Sequence, residues 1–111
     1  MTDDASLAHL EARQDTERAD ARRRLEAAEE LLAQYRSQID RIRDDFHQHA
    51  ARQGVSEDPG FRSGFQRVSE FAEENIRSAT RVIREFEEEF RSLTTQHDEE
   101  RERFLVVLRQ Q

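Results

Sequence analysis

Apolar residues recur along two stretches of this chain at alternating steps of three and four, the spacing that lines one side of a helix. Leu25, Ala28, Leu32, Tyr35, Ile39, Ile42, Phe46 and His49 follow it in the first stretch. In the second it runs through Phe65, Ala72, Ile76, Ala79, Ile83, Phe86, Phe90, Leu93, His97, Glu100, Phe104 and Val107. The only cluster of helix breakers, Gly54-Val55-Ser56-Glu57-Asp58-Pro59-Gly60, lies between them. Gly54 suits the left-handed residue that ends a helix, and Ser56 or Asp58 can cap a new one with Pro59 in its first turn. The predicted fold is therefore all-α, a long antiparallel two-helix hairpin of coiled-coil type in a single domain, 1–111. Its helices span about 3–53 and about 59–109, its turn is 54–58, and Thr2 or Asp3 caps the first helix. Gly64 inside the second helix weakens its first turns, so fraying is expected over 59–64.

Folding the chain at that turn pairs residue i of the first arm with roughly residue 113 − i of the second. Ala21 and Ala28 then face Leu93 and Phe86, so small and large side chains complement each other. The predicted seam comprises Leu25, Leu32, Tyr35, Ile39, Ile42 and Phe46 from the first arm. Phe65, Ile76, Ile83, Phe86, Phe90, Leu93 and Phe104 supply it from the second. Glu11 through Asp20, which has no large apolar residue, falls opposite the equally polar Thr94 through Arg103. There His97, near Glu100 and Arg18, can form a hydrogen-bonded layer that fixes the register. Beyond it Leu7 and Leu10 meet Phe104 and Val107 at the open end.

The two flanks of the seam differ. On one, Arg22, Arg36 and Arg43 look towards Glu73 and Glu87, a solvated ladder worth only tenths of a kcal/mol per pair. On the other, Leu31 and Val82 come to one height and Phe61 and Val68 extend the stripe towards the turn. Phe71, and Leu105, Val106 and Leu108 of the Leu105–Leu108 run, also point away from the seam. Apolar residues in rows mark an interface. These eight are the expected partner-binding residues, and a two-helix hairpin, having no true interior, needs a partner helix to complete a bundle.

Composition narrows the function. The chain has 111 residues, 39% of them charged, and a net charge of −7. Acidity opposes binding to nucleic acid, and no window resembles a membrane span or a signal peptide, so a cytoplasmic protein is expected. With no Cys, disulfides, thiol catalysis and thiolate metal sites fall away. His47 and His49 are two residues apart and point about 200° apart on a helix, so they cannot share an ion. The runs Glu87-Glu88-Glu89 and Glu99-Glu100 supply carboxylates, but a rod offers no cleft to shift their acidity. No cofactor, metal or catalytic residue is predicted.

An equal-armed, acidic, Cys-free hairpin turning through Gly54–Gly60, with the Phe-rich start Phe61-Arg62-Ser63-Gly64-Phe65, resembles the Esx-like (WXG-type) small proteins of bacterial type VII secretion. Within that class it is most similar to the small partners encoded beside LXG-domain toxins. The resemblance implies a non-enzymatic adaptor or targeting chaperone that packs against a toxin's helical N-terminal region, and co-export with that client. Two family features are missing. The turn has no Trp-x-Gly, and no Tyr or Phe is followed four residues later by Asp or Glu: Tyr35 precedes Ile39, Phe86 precedes Phe90 and Phe104 precedes Leu108. Two further readings are a self-associating structural coiled coil, a homodimer, and a chaperone or masking protein of another secretion system.

Overall fold

The computed structural model describes residues from Asp3 to Gln111. Thr2 and the side chain of Asp3, the two expected caps of the first helix, lie outside what is described. The fold is all-α: α1 (Asp3–Gln53) and α2 (Pro59–Arg109) are 51 residues each. No strand occurs among the described residues. α1 contains neither Gly nor Pro and is rich in Ala, Arg, Glu, Gln and Leu, the residues that lose least on entering a helix.

The turn is built from two reciprocal endings. Gly54 has φ 70°, and its N–H donates to Ala51 O at 3.2 Å while Val55 N–H donates to Ala50 O at 2.9 Å. Those paired bonds satisfy the last carbonyls of α1 and require a residue that tolerates positive φ. Asp58 then caps α2: its Oδ1 accepts from Phe61 N–H at 2.9 Å, and Pro59, which has no N–H to offer, takes the first helical position. The cap is Asp58 rather than Ser56. Residues 59–64 are helical and form the first turns of α2.

Contacts group the chain into two compact units. The turn unit is Ala28–Val82. Its most buried side chains are small, Ala50 and Ala72. Leu32, Tyr35, Ile39, Phe65 and Ile76 are half-buried around them. Across its seam Asn75 donates to the Tyr35 hydroxyl at 3.0 Å, and the Phe46 and Phe65 rings meet edge to face with centroids 6.5 Å apart.

The second unit is Met1–Ala27 with Ile83–Gln111. Leu10, Ala21 and Ile83 are buried, with Leu7, Leu25, Phe86, Phe90, Leu93 and Phe104 half-buried. Arg13 meets Glu100, the partner that the sequence register assigns to it, and Glu11 meets Arg101, one residue away. Arg22 turns its guanidinium onto the Phe90 ring, 4.8 Å from the centroid, instead of towards Glu87.

Several seam assignments are corrected, all in one sense. Ile42 is 43% exposed and Arg43 takes its place, donating to Ser69 O at 3.2 Å and standing 4.0 Å from Glu73. Phe46 is pushed to the seam's edge, half exposed, and Ala50 rather than His49 faces inward. At the end of α2, Val107 is 54% exposed, whereas Leu105 and Leu108, expected to point away, are half-buried. Inward positions at these places step by four where a heptad steps by three, because an α-helix of 3.6 residues per turn drifts about 20° per heptad from a 3.5 repeat.

Candidate protein-docking face

Within the turn unit, a second row of positions on α2 repeats the three-and-four rhythm beside the seam: Phe61, Gly64, Val68, Phe71, Asn75, Ser78 and Val82. Its apolar members other than Phe61 are left exposed by the fold. Phe71 is 70% exposed, and Val68 and Val82 are also exposed. On α1 of the same unit Leu31 is 66% exposed, and the outward turn of Ile42 and Phe46 adds two more apolar surfaces that sequence reasoning had placed in the seam. Among the described residues no bulky side chain is completely buried. Apolar side chains exposed in a row, rather than singly, are the kind of surface that a docking site offers.

At the turn end this row opens into a cleft of about 280 Å³ lined by Phe46, Gly60, Phe61, Gly64, Phe65 and Val68. The Phe61 and Phe65 rings stack with centroids 6.1 Å apart and form one wall. Ordinary small-molecule sites are cavities of about 300–1,000 Å³ with convergent polar groups. This cleft is smaller and its lining is apolar, so it suits a side chain. A separate surface, lined by Asp40, Arg43, Asp44, His47 and Glu73 together with Ser69 and the Phe65 edge, is polar. The His47 ring lies 4.4 Å from that of Phe65.

In the other unit the polar layer exists and is larger than sequence reasoning placed there. His97 is 4% exposed. Its Nε2 lies 2.8 Å from Glu17 Oε2 and its Nδ1 lies 3.5 Å from Arg18 Nη1. A carboxylate only accepts and a guanidinium only donates, so these neighbours match an imidazole protonated at Nε2 with a free pair at Nδ1. Arg18 is shared with Asp15 at 2.6 Å. Gln14, equally buried, donates both amide protons, to His97 O at 3.0 Å and to Glu100 Oε1 at 2.9 Å. Gln14 and Glu17 were missed because an isolated Gln or Glu on a charged helix carries no pattern.

Two carboxylates are held in their charged form. The Gln14 amide and the Arg13 guanidinium hold the Glu100 carboxyl below its ordinary value of 4.5, against the opposing effect of burial. Arg77 first, and Arg81, do the same for Glu74. Among the described residues no three His, Asp or Glu side chains are grouped so as to hold a metal ion, and no helix is long and apolar enough to cross a membrane.

The remaining expected partner residues fall in different settings. Leu31, Val68, Phe71 and Val82 are exposed in the turn unit, Phe61 is half-buried against Phe65, and Leu105, Val106 and Leu108 belong to the other unit with only Val106 classed as exposed. Comparison of the chain with protein-family models, with curated proteins and with solved structures finds no match.

Proposed function

We propose that this protein is a non-enzymatic helical adaptor that presents the Leu31, Val68, Phe71 and Val82 face of its turn unit to an amphipathic helix of a client protein. The observation that carries this is the second apolar row at helical spacing, left exposed in a fold whose own seam buries no bulky side chain completely. Helix-on-helix association through apolar anchors at steps of three and four is a standard recognition mode. The small partners of LXG-domain toxins supply the most specific version. There the client is the helical N-terminal region of a secreted toxin, a second small helical protein can join, and the adaptor supports export or leaves with its cargo. The missing Trp-x-Gly and aromatic-to-acidic motifs fit a supporting partner, with the export signal residing elsewhere in the complex.

Light scattering coupled to size exclusion tests the reading, on the chain alone and co-expressed with the product of a neighbouring large gene. A stoichiometric complex that Val82→Asp abolishes is the expected result. A tight homodimer indifferent to that neighbour would assign the face to self-association and the protein to the structural coiled coils.

A further inference from the structure

Between Leu10 and Ala21 of α1, and between Leu93 and Phe104 of α2, the only buried side chains are Gln14 and His97. The bonds that join the arms there are polar: Arg13 with Glu100, Glu11 with Arg101, Glu17 with His97, and Gln14 with His97 O and Glu100. Thr16 and Thr94 each donate to a carbonyl of their own helix, Ala12 O and Phe90 O, rather than across the seam. Hydrogen bonds that replace bonds to water, and ion pairs open to solvent, add little net stability. The entropy lost in ordering this stretch is not correspondingly smaller. Beyond it lies an apolar tip, where Leu10 is buried and Leu7, Phe104, Leu105 and Leu108 are half-buried.

We infer that the polar layer is a weak joint, at which the open end of the hairpin parts reversibly while the seam between the layer and the turn stays closed. The arms are linked covalently only through the turn. Parting at the tip therefore frees two chain ends, whereas parting near the turn alone would leave a closed loop and gain less entropy. Once the tip lets go, the groups of the layer meet water at little net loss, so layer and tip open together. The outer pieces of α1 and α2 then lose the packing that supplies most helical stability, and their amides become open to exchange. The Leu31, Val68, Phe71 and Val82 face belongs to the turn unit and survives this opening, whatever docks on it.

Native-state hydrogen exchange on the full chain, read by mass spectrometry where exchange follows the opening equilibrium, tests the joint. Amides of residues 8–20 and 94–106 are expected to be at least about tenfold less protected than those around Leu25 and Ile83, with a step at the layer. Ile83→Val should speed exchange around Leu25 and Ile83 about threefold or more and leave the outer amides unchanged, because Ile83 is still packed when the tip has opened. Leu10→Ala should speed both sets, since its contacts are lost in either opening. Joint replacement of Gln14→Leu and His97→Leu should slow the outer amides about fivefold or more, because apolar side chains restore the missing burial.

Even protection along the arms, or outer amides accelerated by Ile83→Val, would show a hairpin that opens only as a whole. Protection that declines smoothly towards the chain ends, with no step at the layer, would reduce the opening to ordinary fraying. Outer amides left unchanged or accelerated by the double leucine variant would take the joint away from Gln14 and His97. Each of these results overturns the inference.

Discussion

His97 Nε2 lies 2.8 Å from Glu17 Oε2, joining the buried imidazole of α2 to the half-exposed carboxylate of α1. With Gln14 and Glu100 this contact places a hydrogen-bonded layer where the seam has no large apolar side chain. Such a layer contributes little net stability, because each bond replaces one to water, but leaving a buried partner unmet is costly. Its value lies in register: sliding the helices by one turn would strand Gln14 and His97 without partners.

Truncation of the layer should follow that asymmetry. Gln14→Ala removes two donors from a buried site and is expected to destabilise by about 1–2 kcal/mol. His97→Leu should stay within about 1 kcal/mol of wild type, since Glu17 and Arg18 can turn to solvent. Urea unfolding of both variants checks this, and a loss from His97→Leu as large as that from Gln14→Ala would contradict it.

Acid should weaken the fold through Glu100. The Gln14 amide and Arg13 favour its charged form, so its folded value lies below the unfolded 4.5. A depressed carboxyl contributes its stability above the unfolded value and loses it as pH falls through the folded one. Melting temperature recorded from pH 7 downwards should therefore drop below about pH 4.5, and Glu100→Gln should flatten that limb while leaving neutral stability less affected. Glu74, held low by Arg77 and Arg81, adds to the same limb.

Two turn residues should be sensitive for different reasons. Gly54→Ala forces a Cβ into the left-handed region at φ 70° and is expected to cost about 1–2 kcal/mol. Asp58→Ala removes the oxygen that accepts from Phe61 N–H and should cost about 1 kcal/mol. Gly54→Asn, which tolerates positive φ better, should recover part of the first loss. Thermal unfolding of the three variants decides, and a harmless Gly54→Ala would mean that the turn can reform with another geometry.

Neighbouring residues on α2 should separate folding from docking. Ile83 is buried, so Ile83→Asp leaves an uncompensated charge in the seam and should cost several kcal/mol, a large share of an overall stability of about 5–15 kcal/mol. Val82 is exposed, so Val82→Asp should change stability by no more than about 0.5 kcal/mol. Circular dichroism melts of the pair test the assignment; indistinguishable melts would show that the two residues share one environment.

The sequence by itself determined the helices and the turn. Gly54, Asp58 and Pro59 act through local backbone chemistry, and an apolar rhythm of three and four needs no knowledge of the rest of the chain. It also brought polar stretches of the two arms together and put His97 among their hydrogen-bonding side chains. Tertiary structure decided what depends on rotation about each helix axis. A heptad template keeps Ile42, Phe46 and His49 inward, but the small drift of a 3.6-residue helix accumulates until Arg43 and Ala50 replace Ile42 and His49. The same drift turns Val107 outward and Leu108 inward. Gln14 joined the layer because its amide reaches two acceptors on the facing helix.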